Sequence, residues 1–389
     1  MATQAATKRW LKIAEGLLSR PTATCFEQQP AEYVRDFARR RAGLSLSEDR
    51  YGNLVVKWPG RGRPKSPPLV LMAHLDHPGF VVDRVRGDLV DLSFRGGVYL
   101  RCAKRGTPLE FFAPDSSKPL GRGKLLSASN RGARRPTMLG SARARVTSGR
   151  AVEPGFTMWA FPGYSRRGGK IVSRCLDDLL GAAAALATLD EIHRQKPRGA
   201  HVWGLFTRAE EVGLLGALAA VKARTVPRDA RVLSLETSRA LPHAPQGGGV
   251  IVRVGDARSL FDPRLMGVLH DVAAELARDR PDFRYQRRLM DGGSCEATAF
   301  CAAGFRSGGL ALPLGNYHNM KGLDGGPSGI GAEHIRVSDY AAEIELLVRL
   351  AETSRTLPAR ERGTEAWVGP LTARAHEMLT AEPLSRNPR

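Results

Sequence analysis

The chain has 389 residues, about two to three domains at roughly 150 residues each. Hydrophobic residues make up 42% and charged residues 25%, a balance that suits a packed soluble protein and excludes a disordered chain, a collagen or a disulfide-stapled miniprotein. Lys and Arg number 59 against 39 Asp and Glu, for a formal charge of +20.

The longest nearly apolar run, residues 179–189, falls well short of the about 18 residues a membrane span needs. Near the N-terminus Lys12 and Glu15 interrupt the apolar residues, so no secretory h-region forms. These features predict a cytoplasmic protein with no membrane association. Charge is densest over residues 116–152, which hold no acid but contain Lys118, Arg122, Lys124, Arg131, Arg134, Arg135, Arg143, Arg145 and Arg150. Few aromatics interleave there and no recognition helix is apparent, which favours a solvated basic face or an anion-binding loop over nucleic-acid binding. Cys25, Cys102, Cys175, Cys295 and Cys301 form no CxxC pair, so reduced thiols are expected rather than a thiolate zinc site.

In chain order, Trp10, Ile13, Ala14, Leu17 and Leu18 fall at helical spacing, and Pro21 ends that helix. A second helix is predicted over 30–41. A strand over 51–58 follows the turn at Gly52-Asn53, and 61–68 reads as a Gly/Pro/basic loop. Residues 69–73, Leu-Val-Leu-Met-Ala, are a continuous apolar run, as a strand covered on both faces requires. Short, Gly-punctuated alternating segments between 80 and 159 predict a small inserted β domain. Strands at 201–207, 231–236, 250–254 and 308–314 then alternate with helices at 179–193, 213–222, 263–278 and 337–353. The fold expected is α/β: a three-layer, mixed-sheet domain (1–80 and 168–353), an inserted β-barrel-like domain (81–167) and a polar C-terminal tail (354–389).

Acids and histidines sit where those strands end, the place where open α/β sheets bind ligands. Five segments qualify: His74-Leu75-Asp76-His77, Asp177-Asp178, Glu210-Glu211, Glu236 and His318. Taken singly, each has a plainer reading. His74 could be a hydrogen-bonded structural histidine, with His77 pointing the other way as a structural or rim residue. The Asp pair could cap a helix, the Glu pair could open one, Glu236 could join a salt bridge, and His318 could be an ordinary loop residue. Together they supply two imidazoles and three carboxylates, a set suited to two divalent cations such as Zn²⁺, Co²⁺ or Mn²⁺. Asp177, Glu211 and Glu236 would offset three of the four positive charges, leaving one to stabilise a bridging hydroxide.

The order His-x-Asp, Asp-Asp, Glu-Glu, Glu, His resembles that of the co-catalytic dinuclear metallo-aminopeptidases, in the glutamyl, deblocking and tetrahedral branch. The resemblance runs over about residues 10–350 and is most specific at Glu210-Glu211-Val212-Gly213-Leu214-Leu215-Gly216-Ala217. It implies that Asp177 bridges two metals, with His74 and Glu236 completing one site and Glu211 and His318 the other. It further implies that Glu210 is the proton-transferring base, that Asp76 orients His74, that the Asp177–Asp178 peptide is cis, and that the protein is a homo-oligomer acting on a peptide or small amide. The chain departs from that pattern at Glu236, where the branch has Asp, and at Arg208, where a smaller residue is common. Gly292-Gly293-Ser294-Cys295-Glu296 replaces Gly-Gly-Thr-Asp, and Asn316-Tyr317-His318-Asn319-Met320 replaces Arg-Tyr-x-His-Ser. The expected function is therefore metal-dependent hydrolysis of amide bonds, with aminopeptidase activity leading. A carboxypeptidase or deacylase, or a non-catalytic basic nucleic-acid-binding scaffold, stands as the alternative.

Overall fold

The computed structural model describes residues 3–60 and 66–381. The N-terminal helices α1 (Gln4–Leu18) and α2 (Gln28–Arg39) lead into β1 (Ser45–Glu48), β2 (Leu54–Trp58) and β3 (Leu69–His74). The hydroxyl of Thr3 caps α1 by accepting from the Ala6 N–H. Of the basic loop expected over 61–68, residues 61–65 lie outside the described residues.

Six strands come next: β4 (Gly79–Arg86), β5 (Leu89–Arg95), β6 (Pro108–Phe112), β7 (Gly121–Ser129), β8 (Ser141–Gly149) and β9 (Phe156–Trp159). They close into a barrel in the order β4-β5-β8-β7-β6-β9. Alternation on β5 sends Val90, Leu92 and Phe94 inward, where they meet Phe80, Leu109, Phe111, Leu125 and Trp159. Closure removes the edges that a small open sheet would expose.

The chain returns through β10 (Ser165–Arg167) and β11 (Lys170–Ser173) to α3 (Leu179–Gln195), β12 (Val202–Thr207), α4 (Leu215–Ala223), β13 (Arg231–Arg239) and β14 (Val250–Gly255). It continues through α5 (Pro263–Asp279), β15 (Tyr285–Leu289), α6 (Glu296–Ala302), β16 (Arg306–Leu314), the two-residue strands β17 (Met320–Lys321) and β18 (Gly329–Ile330), and β19 (Glu333–Arg336). The last elements are α7 (Val337–Glu352), α8 (Leu357–Arg360) and α9 (Gly363–Ala381). The main sheet has eight strands in the order β1-β2-β12-β3-β13-β16-β14-β15. Its centre, β12-β3-β13-β16, is parallel, while β2 and β14 join it antiparallel. Leu69, Leu71 and Ala73 of β3 pack with α1, α3, α5 and α7, whereas Val70 and Met72 pack with α4 and α6 on the other face. This gives the three-layer mixed α/β architecture, with the smaller β domain inserted after β3. The alanine run of α3 lets that helix sit directly beneath the sheet, buried around its whole circumference from Leu179 to Ile192.

The segment expected as a polar tail is helical in its described part. Arg231 and Arg306 lie side by side at the starts of β13 and β16, and Glu361 pairs with both guanidinium groups. Leu357 is buried with it, while every residue of α9 is exposed. Residues 382–389, including Pro383, lie outside the described residues. Among the described residues, no helix is long and apolar enough to cross a membrane.

Candidate functional site

Parallel strands bring the ligand-type residues to one edge. Thr207, the last residue of β12, is level with His74, the last of β3. Ser234 of β13 is level with Met72, so Glu236 falls beside the end of β3. Asp177 enters from the turn between β11 and α3, and His318 from a short turn after β16.

Ligand atoms from His74, Asp177 and Glu236 lie within 4.8 Å of one another, as do those from Asp177, Glu211 and His318. A third such group joins His74 to Glu210 and Glu211. All seven site residues named from sequence therefore gather here: His74, Glu211, Glu236 and His318 around Asp177, Glu210 beside His74, and Asp76 behind the Glu pair. Asp177 faces both imidazoles, with Oδ1 3.5 Å from His74 Nε2 and Oδ2 3.2 Å from His318 Nε2. Glu211 Oε1 is also 3.2 Å from His318 Nε2.

Each imidazole is fixed from behind. His74 Nδ1 bonds the Asp76 carbonyl at 3.1 Å, and His318 Nδ1 bonds the Gly97 carbonyl, on the loop after β5, at 2.8 Å. A carbonyl can only accept, so both Nδ1 atoms are donors and each Nε2 is left to face the carboxylates or a cation. The Asp177–Asp178 peptide is cis. Its surroundings are held by His77, whose Nδ1 meets the Asp177 carbonyl and whose Nε2 meets Asn319 Oδ1 at 3.0 Å. Glu333 accepts from the N–H groups of Leu176 and Asp177.

Asp76 does more than face His74. Its carboxyl lies 3.4 Å from His74 Nδ1, farther than its own carbonyl. The carboxylate oxygens accept instead from the N–H groups of Glu210 at 2.9 Å and Glu211 at 3.3 Å, and from the Thr24 hydroxyl at 2.8 Å. Glu27, Glu333, Asn319 and the Gly97 carbonyl were not anticipated. Glu333 opens a short strand of mixed burial and left no pattern to read; a backbone carbonyl leaves none either.

The electrostatics of the polypeptide alone are strained. Burial pushes Glu236 up to about 7 and Glu296 up to about 8, against the pull of His74 in both cases. Burial likewise lifts Glu210 and Asp178 well above the usual carboxylate range. Asp177 moves the other way: burial opposes ionisation, but the hydrogen bonds from His318 and His74 outweigh it and hold the carboxyl low. Burial would lower both imidazoles, yet their acidic neighbours raise them well above the ordinary histidine value. Asp177 Oδ1 and Glu211 Oε1 are buried and face only the imidazoles, with no well-aligned hydrogen bond to either oxygen, a costly state for a carboxylate. Acids packed this closely, with oxygens left short of hydrogen bonds and both Nε2 atoms aimed inward, fit cations better than they fit one another. The N/O donor set is that of borderline divalent metals.

Beside this edge lies a cleft of about 670 Å³, reached by Glu210, Glu211 and His318 and lined by Arg95, Arg134, Arg135 and Arg258. Arg134, from the loop between β7 and β8, donates to the Val212 carbonyl, so the barrel closes over the Glu pair.

The profile of the family described as M42 glutamyl aminopeptidase matches residues 146–324, a span that includes Asp177, Glu210, Glu211, Glu236 and His318. Over that stretch the chain is similar to the M42 glutamyl aminopeptidase family. That family is one of aminopeptidases, and acid and histidine groups of this chain could hold metal. No curated protein matches the chain. Solved structures with the same fold include an aminopeptidase from the archaeon Desulfurococcus kamchatkensis, at 18% identity and a TM-score of 0.72, covering 91% of this chain and 98% of that one. A TET aminopeptidase from a marine-sediment Thaumarchaeota archaeon also has 18% identity and a TM-score of 0.72, over 90% and 99% of the two chains. The TET1 peptidase of Pyrococcus horikoshii, which can assemble into a tetrahedron or a large octahedral shell, has 19% identity and a TM-score of 0.68 over 88% and 99%.

Proposed function

We propose that this protein is a two-metal aminopeptidase that removes the N-terminal residue of peptides. The observation that carries the reading is the sharing of Asp177 between the His74/Glu236 and Glu211/His318 groups. Asp177 would bridge, and each pair would complete one cation site; zinc is the metal favoured, with cobalt or manganese as substitutes. When bound, two such cations polarise the scissile carbonyl and make water acidic enough to attack near neutral pH. Glu210 takes the proton from the attacking water and returns it to the leaving amine. Its backbone N–H is held by Asp76, which keeps that carboxyl on the cleft side of His74. Asp76 also backs His74 through its carbonyl.

The cleft suggests which peptides. Apart from Glu210 and Glu211, its lining carries arginines and no acid, so substrates with an acidic first residue are favoured over basic ones. The proposed division of labour is a catalytic domain over residues 1–80 and 168–353 and an inserted domain over 81–167, whose barrel starts two residues earlier with β4 and roofs the cleft. Assembly into a homo-oligomer is proposed by analogy with the TET1 peptidase. The five cysteines are all unpaired, which suits a cytoplasmic setting.

The test is a panel of free-amine peptides and N-acylated analogues, run with zinc on the wild-type chain and on Glu210→Gln. The reading expects cleavage of free-amine substrates only. In the variant, metal content should stay unchanged while kcat falls by about 10²–10⁴. Cleavage of the acylated analogues alone would turn the assignment to a deacylase, and a fully active variant would remove Glu210 from the mechanism.

A further inference from the structure

Three consecutive N–H groups, those of Ala209, Glu210 and Glu211, point into carboxylates. Asp76 takes the second and third. The first, at 3.2 Å, goes to Glu27, a residue more than 180 positions earlier in the chain, in the loop that leads into α2. Glu27 is 1% exposed. Its Oε1 also accepts from the Cys25 N–H at 2.8 Å, and its Oε2 lies 2.9 Å from both Nε and Nη2 of Arg208. Arg208 in turn donates to the Tyr51 carbonyl at 3.2 Å. The same N-terminal loop supplies Thr24, whose hydroxyl holds Asp76.

The conformation so held is a demanding one. Ala209 has φ of +52° and Leu214 of +61°, left-handed values that non-glycine residues take only when their surroundings impose them. Side-chain direction at Glu210 and Glu211 follows from that turn, and adjacent acids must diverge correctly for one to meet His318 and the other to reach the cleft. A solvated ion pair would contribute little. Here the carboxylate is buried, the guanidinium half-buried against it, and the pair is tied to the backbone at Ala209 by charge-assisted bonds of the stronger kind.

We infer that Glu27, with Arg208 as its counter-ion, is a positioning residue: it fixes the left-handed turn at Ala209 and thereby aims the Glu210–Glu211 pair. The arginine that departs from the family pattern is thus one half of this device. The inference rests on the two-metal peptidase reading for its kinetic readout, but its metal-affinity readout does not.

The experiment compares wild type, Glu27→Gln, Arg208→Lys and Arg208→Met, measuring kcat and KM on a free-amine peptide, zinc affinity by chelator competition, and thermal unfolding. In Glu27→Gln, kcat should fall tenfold or more with KM within threefold of wild type, and the weaker of the two zinc affinities should drop at least tenfold. Arg208→Lys, which keeps the cation, should retain several-fold more activity and zinc affinity than Arg208→Met. Wild-type kcat and zinc affinity in Glu27→Gln would overturn the inference. If Glu27→Gln does not fold, Arg208→Met decides: unchanged kcat and zinc affinity would overturn it equally. If the wild-type chain binds two zinc ions yet cleaves no peptide, the functional reading fails, and the positioning role is judged on the zinc affinities alone.

Discussion

The two halves of the site are built on different foundations. The group on the His74 side stands on the sheet: His74 ends β3, Glu236 lies within β13, and both strands are buried at the centre of the eight-stranded order. The group on the His318 side stands on turns. Glu211 follows the left-handed turn at Ala209, His318 itself has φ of +52°, and its neighbours Asn316 and Asn319 have φ of +56° and +62°. Those turns are held from outside the sheet, by Glu27, Asp76 and the Gly97 carbonyl after β5. The first half inherits its geometry from the core, whereas the second is assembled by long-range hydrogen bonds. Asp177 belongs to both.

This contrast can be broken at graded points. The largest effect is expected at the shared residue: Asp177→Asn should release both cations and lower kcat by about 10³ or more, measured by elemental analysis and peptide turnover; retention of both cations would refute the bridging role. Next, His318→Ala and Glu236→Ala should each lose one cation. The His318→Ala protein should keep a near-normal unfolding temperature, since its turn lies outside the sheet, and equal loss of both cations in it would erase the distinction between the halves.

A smaller effect concerns pH. Burial raises Glu236 and Glu296 from 4.5 to about 7 and about 8. A carboxyl that holds its proton more tightly folded than unfolded contributes stability that is complete below its unfolded value and is lost as pH rises through its folded one. The raised imidazoles of His74 and His318 shift stability in the same direction. Chelator-treated protein should therefore melt at a lower temperature at about pH 8.5 than at about pH 5.5, and zinc should narrow the gap by replacing those protons. A chelated protein equally stable at both values would argue against the buried acids. The smallest effect is expected from α9: removal of the chain after Arg362 keeps Leu357 and the Glu361 ion pairs, so peptide turnover per chain should change by less than about twofold, as surface changes usually do.

What could be read from sequence follows the same divide. The apolar runs in β3, β12 and β13, with His74 closing the first, Glu210 and Glu211 just past the second and Glu236 after the third, announce both the strands and the ligands, because a buried apolar run has little other reason to lead into such residues. The Asp and Glu pairs stand out for the same reason. The barrel is half legible: β5 alternates cleanly, but β7 reads Gly-Arg-Gly-Lys-Leu-Leu-Ser-Ala-Ser, with too little apolar period to mark a strand. The hydrogen bonds of Glu27, Asp76 and Glu333 to distant backbone N–H groups leave no local pattern, since only the folded chain brings them together. At the C-terminus prolines suggested a tail, yet Pro358 lies in the first turn of α8, where its missing N–H costs nothing.

The central claim is that Asp177 lies between two cations. Crystals of the wild-type protein grown with zinc, measured at the zinc absorption edge, test it directly. The account predicts two anomalous peaks per chain, one touching His74 and Glu236, the other touching Glu211 and His318, and both touching Asp177. A single peak, or two peaks of which either avoids Asp177, would contradict it.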